Sequence, residues 1–313
     1  MPMRQIVNAL TLAILGLLIF VVAPNLPAAE DAGPLSIEGP PYRVWVSHQT
    51  ECCPKQVELR VREDGSEEDR SLELTGRMQK LQELRPVIDP RVLLIGDLRY
   101  GGTNLWIVNL ETLRHETEIW TYGHGISPSG RYLAYQTHYP GMALPADRRS
   151  IFLLYDLSMP PEKNRSGPAG DQGDRTLGTP IFPEKNAAEP SWSTAGVERS
   201  YSLSSPFLWS DDERVLVFLV VGRPTGTDER QGFVVRVELT PEGRVREVSS
   251  ELLTRENVEA PYETASSEEP AHPHLLVTLD TLEWSKERGE GWVVGETALP
   301  GDTLGSKVWI RLP

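Results

Sequence analysis

The stretch GHGISPSGRYLAYQTHYPGMALPADRRSIFLLYDL, Gly123 to Leu157, decides the fold. It opens on a turn, Ser127-Pro128-Ser129-Gly130, in which Pro128 presets φ and Gly130 suits the last position. From Arg131 to Thr137 the residues Tyr132, Ala134 and Gln136 alternate with Leu133, Tyr135 and Thr137, the period-2 pattern of a strand. A loop follows. Ile151 to Tyr155 is then a short apolar, aromatic-rich run, suited to a strand covered on both faces, and Asp156-Leu157 ends it.

Weaker copies lie on both sides. Ile88-Asp89-Pro90 precedes Arg91 to Asp97, and Leu105 to Leu110 matches Ile151 to Leu157. Leu208-Trp209-Ser210-Asp211-Asp212-Glu213-Arg214 precedes Val215 to Val221, with Phe233 to Leu239 as the following strand. Leu282-Glu283-Trp284-Ser285-Lys286-Glu287-Arg288 precedes Gly291 to Glu296, with Val308 to Leu312 after it. The shared pattern is an apolar or Trp residue, Ser or Asp, a turn, a strand, a polar loop, and an apolar strand ending in Asp-Leu, Asn-Leu or Glu-Leu. Nearer the N-terminus, Tyr42 to His48 and Gln56 to Arg62 read as strands, with Val57, Leu59 and Val61 on one face. Ser71 to Leu74 is a further candidate.

The Ser-Pro-Ser-Gly-Arg-Tyr-Leu-Ala-Tyr and Ile-Phe-Leu-Leu-Tyr-Asp-Leu segments resemble a blade of the TolB-like, WD-repeat-like propellers of exported bacterial proteins. The resemblance implies an all-β fold, a β-propeller, and little about activity. Five blades fit the repeats, with four to seven open. Leu35-Ser36-Ile37 is expected to pair with the last blade, closing the ring and hiding a sheet edge. Leu74, Met78 and Leu81 fall at helical spacing, which predicts a short helix or irregular link over Leu72 to Leu84. Loop insertions are expected at about 158–205 and 255–273, within a domain spanning 30–313.

Residues 1–29 have the layout of a secretory signal peptide, here called a signal helix: Arg4, a mostly apolar run from Ile6 to Ala23, and a small-residue tail through Ala29. This predicts export to the periplasm or beyond. Retention of residues 6–23 would instead give a membrane anchor. The formal net charge of −14 argues against binding to phosphate backbones or anionic lipid.

No P-loop, dinucleotide fingerprint, His-Glu-x-x-His or Gly-x-Ser-x-Gly elbow is present, so no catalytic, cofactor or metal residue is assigned. Cys52 and Cys53 are the only cysteines; a bridge between neighbours would be a vicinal disulfide, strained and easily reduced. Gly170 to Asp174 lacks the full ligand series of a calcium loop. Glu263, Glu268, Glu269, His272 and His274 lack the rigid support that metal ligands need. The main expectation is therefore a non-catalytic module binding a protein, peptide or glycan. The alternative is a glycoside hydrolase with two channel carboxylates, drawn from Asp89, Asp97, Asp211 and Glu283. A membrane-anchored sensor is the third reading.

Overall fold

Alternating runs like Tyr132 to Thr137 need neighbouring strands, and the fold supplies them locally. The computed structural model describes residues 35–38, 41–50, 55–98, 101–138, 150–166, 176–182, 201–222, 229–259, 275–297 and 306–313. The first sheet is β1 (Ser36–Ile37), β2 (Tyr42–Gln49), β3 (Lys55–Glu63) and β4 (Asp69–Gly76), paired in that order. The second is β5 (Lys80–Pro86), β6 (Arg91–Asp97), β7 (Thr103–Asn109) and β8 (Arg114–Thr121), again in order. Next come β9 (Gly123–Ile126), β10 (Tyr132–His138) and β11 (Ser150–Asp156). A small ribbon, β12 (Arg165–Ser166) with β13 (Thr176–Leu177), precedes β14 (Thr179–Phe182), which completes the third sheet beside β11.

In the fourth sheet, β15 (Tyr201–Leu203) and β16 (Leu208–Trp209) both pair with β17 (Val215–Gly222), followed by β18 (Gln231–Leu239) and β19 (Val245–Leu252). The fifth comprises β20 (Val258–Glu259), β21 (Glu283–Trp284), β22 (Trp292–Thr297) and β23 (Ser306–Arg311), in the order β21-β22-β23-β20. Every pairing is antiparallel. The chain is thus all-β, built from successive antiparallel meanders. Strands β12 to β15 lie within the stretch expected as the first insertion, and β20 lies within the second.

Two expectations are corrected. Ser36 and Ile37 pair with Trp45 and Val44 in the first sheet, while the fourth place of the last sheet goes to Val258 and Glu259 beside Ile310 and Trp309. Each sheet is therefore built from its own stretch of chain. Leu72 to Leu84 is strand, link and strand rather than helix: Leu74 pairs with Val57 and Leu81 with Gly96. Leu74, Met78 and Leu81 are all buried. Two short alternating strands with a tight link between them reproduce helical spacing by coincidence.

Alternation distributes the side chains between neighbouring sheets. Leu133 and Tyr135 join Leu93, Ile95, Leu105 and Ile107 of the second sheet. Tyr132 and Ala134 face the other way, toward Leu216, Phe218 and Val220 of the fourth. Val217 and Leu219 then pack with Val293, Val308 and Ile310 of the fifth. The third and fourth sheets are covered on both faces, which is why β11 and β17 read as unbroken apolar runs. Successive four-stranded meanders stacked face to face are the repeat unit of a propeller. The first sheet differs. Val57, Leu59 and Val61 are buried, yet Arg43, Glu58, Arg60 and Asp69 form surface ion pairs on its opposite face.

The sequence repeat has a structural meaning. The amides of Ser127 and Ser210 donate to the carbonyls of the first strand residues beyond the turn, Tyr132 and Val215, at 2.9 Å. The Ser127 and Ser210 hydroxyls accept in return from the Tyr132 and Val215 amides, at 3.0 and 2.9 Å. The Leu ending each third strand is also fixed: the amides of Leu110, Leu157, Leu239 and Leu312 donate to the carbonyls of Pro90, Arg131, Arg214 and Gly291 at 2.7–2.8 Å. Where the third sheet has Gly130 at φ +76°, the fourth has Glu213 at φ +58°. An L-residue costs about 1–2 kcal/mol there. Glu213 offsets this by reaching back: its carboxylate accepts the Ser129 amide and, at 2.7 Å, the Ser129 hydroxyl. Glu213→Ala should therefore lower stability by about 1–3 kcal/mol in urea unfolding. Glu213→Gly loses the same bonds but relieves the backbone, and should recover about 1 kcal/mol of the loss.

Candidate functional site

The four candidate acids sit on three different sheets or their turns. Asp89 lies in the exposed β5–β6 turn, and Asp97 at the other end of β6, eight residues on and so ~26 Å away along an extended chain. Asp97 accepts a 2.6 Å bond from Gln82 Nε2. Asp211 is in the exposed β16–β17 turn, and Glu283 is on β21. Cys52, Cys53, the Gly170–Asp174 loop, the Glu263–His274 group and the residue 1–29 segment lie outside the described residues. Among the described residues, no cluster of three or more His, Cys, Asp or Glu is arranged to hold a metal ion. No described helix is long and apolar enough to cross a membrane.

The leading strands of the second, third and fourth sheets adjoin one another. A Cβ at Gly123 or Gly125 would come within 2.6 Å of Leu203 Cδ2 or 2.5 Å of Phe207 Cβ, so these glycines make room for apolar side chains. On the other face of β9, half-buried His124 neighbours Arg85 and Glu83. Burial chiefly, and then the Arg85 charge, push its pKa down, while Glu83 pulls it up. The folded protein therefore holds the neutral imidazole, and the unfolded chain takes up the proton first. Stability contributed by neutral His124 is present above the unfolded pKa and lost as pH falls through that value and below it. His124→Asn should flatten the decline in melting temperature between pH 7.5 and pH 5, measured against wild type.

The end of the second sheet opposite its β5–β6 turn carries the exposed aromatics. Trp120 and Tyr122 project from the β8–β9 junction and are among the most exposed large apolar residues, at 44% and 54%. Thr121 between them is buried, with its hydroxyl 2.7 Å from the Gln136 carbonyl and accepting the Gly123 amide at 3.1 Å. The Tyr122 amide also donates to that carbonyl, at 3.0 Å. The junction is thereby fixed to β10. Trp120 Nε1 donates to Glu118 Oε1 at 3.0 Å, and Asn104 Nδ2 donates to the same oxygen. The Arg77 guanidinium, from the β4–β5 link, lies 5.0 Å from the centre of the Trp120 ring. Asn104 is fully buried, and its Oδ1 has no hydrogen-bond partner among the described residues.

The sequence alone assigns no site here. The available signal was the period-2 run Glu118, Trp120, Tyr122, which puts an acid and two aromatics on one face of an edge strand. By contrast, an open cleft of about 350 Å³ beside the first sheet, lined by Glu38, Tyr42, Arg43, Arg62, Glu63 and Asp64, has its arginines committed. Arg43 pairs with Glu38 and Arg62 with Asp69, each at 2.6 Å.

No protein-family model and no curated protein matches the sequence. Among solved structures, the chain is similar to the tricorn protease at 10% identity, with a TM-score of 0.38, covering 84% of this chain and 23% of that one. A structure from a study of two prolyl endopeptidases gives 10% identity and a TM-score of 0.34, with 84% and 39% covered. The β-propeller domain of the Trilobed protease from Pyrococcus furiosus, described as having an open velcro topology, gives 11% and 0.34, with 86% and 80% covered. The chain spans less than half the length of the first two. With all three scores below 0.5, the fold description rests on the sheet order and packing above.

Proposed function

We propose that this chain is a five-bladed β-propeller, exported from the cytoplasm, that acts as a non-catalytic binding or scaffold module for a protein, peptide or glycan partner. The observation that carries the reading is the aromatic end of the second sheet. Large aromatics held on rigid strands at the surface are the usual anchors of a binding face. Export is supported by the signal-like residues 1–29, with the body of the protein from residue 30 onward as the propeller.

Hydroxyl-radical footprinting tests the binding face. In intact cells, oxidation of Trp120 and Tyr122 should fall roughly threefold or more relative to the purified protein, as expected for side chains at the centre of an interface. Equal oxidation in both settings would count against this surface. Mass spectrometry of the mature N-terminus tests export: a start near residue 30 supports it, and an intact residue 1–29 segment on a protein recovered from the cytoplasm contradicts it.

A further inference from the structure

We infer that the surface around Trp120, with Arg77, Glu118 and Tyr122 and the buried Asn104 that holds Glu118, is a glycan site, taking a neutral oligosaccharide. This inference rests on the binding reading above and names the ligand class.

The recognition chemistry is set by what this surface offers side by side. Trp120 is an exposed ring whose indole edge is tied down by its bond to Glu118; Arg77 lies over one of its faces, so a ligand would stack on the other. Glu118 Oε1 already serves two donors, from Trp120 and Asn104, leaving Oε2 to accept. Asn104 Oδ1 is a second acceptor, buried and without a partner, on the side chain that grips Glu118. Arg77 supplies donors only. A ligand must therefore both give and accept hydrogen bonds within a small span and present an apolar face to the ring. Sugar hydroxyls do both, and a pyranose ring has such a face.

Two competing chemistries fit less well. A cationic peptide would satisfy the acceptors, but the guanidinium of Arg77 already lies over Trp120 and would repel a second cation. An anionic polymer meets Glu118 directly and a chain of net charge −14 at longer range.

The test applies the purified full chain to an array of neutral oligosaccharides printed beside cationic and acidic peptides. Expected is retention on at least one neutral oligosaccharide, weakened roughly tenfold or more in Trp120→Ala, as loss of an anchoring aromatic does. Asn104→Ala and Glu118→Gln should weaken the same spots, and Arg43→Ala, in the first-sheet cleft, should not. Unchanged melting temperatures for the exposed-site variants separate lost recognition from lost folding. Retention on peptides alone, abolished by Trp120→Ala, overturns the glycan inference and leaves the binding reading standing. Retention on neutral glycans that survives Trp120→Ala also overturns the inference, because the site is then elsewhere. No retention on any spot overturns the inference, and footprinting without protection at Trp120 and Tyr122 overturns the binding reading as well.

Discussion

Phe218→Ala is expected to lower folding stability by about 3–5 kcal/mol, the range for emptying a fully buried aromatic site. Phe218 sits on β17 with no solvent exposure. Its ring stacks on Phe152 at 5.0 Å and meets Phe207 at 5.1 Å and Phe182 at 6.5 Å. Phe152 and Phe182 belong to the third sheet and Phe218 to the fourth, so this one ring stands where two sheets meet. Its loss leaves a cavity that neither sheet can close, because each is held from its far side by another core cluster. Phe218→Leu keeps most of the volume and should cost less than about 1.5 kcal/mol. Urea unfolding of both variants makes the comparison. A loss below about 1 kcal/mol for Phe218→Ala would mean that the two sheets do not share this core.

What the sequence disclosed was whatever a strand and its turn decide by themselves. Tyr132 to Thr137 alternates because each face has a sheet to cover it, and Val215 to Val221 is uniformly apolar for the same reason. The Ser-led turns were legible because Ser127 and Ser210 bond within five residues. The terminal Leu was visible as a repeat, although its partner carbonyls at Pro90, Arg131, Arg214 and Gly291 were not. Pairings between distant segments left no local mark. The pairing of Ile37 with Val44 rather than with the last sheet depends on β20 having filled that place first. Leu74, Met78 and Leu81 satisfy two periodicities at once, and only the partners Val57 and Gly96 decide between them. The aromatic site was hidden for a similar reason. Asn104 and Trp120 are sixteen residues apart and meet only because β7 pairs with β8.

The same reasoning explains a second large expected effect, at Glu116. Successive sheets are tied by arginines that reach a carbonyl near the end of the next sheet's third strand. Arg70 reaches Leu110 and Glu111, Arg91 reaches Leu157, Arg131 reaches Glu242, and Arg236 reaches Pro313. The Arg91 clip places its cation among nearly buried surroundings, so it needs a counter-charge. For Arg91 that partner is Glu116, gripped through both carboxylate oxygens at 2.6 and 3.1 Å, with Asn109 Nδ2 adding a bond at 3.1 Å. The two side chains are only 10% and 15% exposed, which makes this the most buried of the protein's ion pairs among the described residues. Glu116→Ala strands the guanidinium with a single carbonyl and should cost about 3–5 kcal/mol in urea unfolding. Removing both charges is a different perturbation. Arg91→Met with Glu116→Leu fills similar volume without desolvating an ion, and should lie within about 1 kcal/mol of wild type or above it. If the double variant is as unstable as Glu116→Ala alone, the clip to Leu157 carries the stability and the ion pair only accompanies it. If the double variant recovers, the pair serves chiefly to neutralise Arg91, and the second and third sheets are held together by Leu93, Ile107, Leu133 and Leu153 between them.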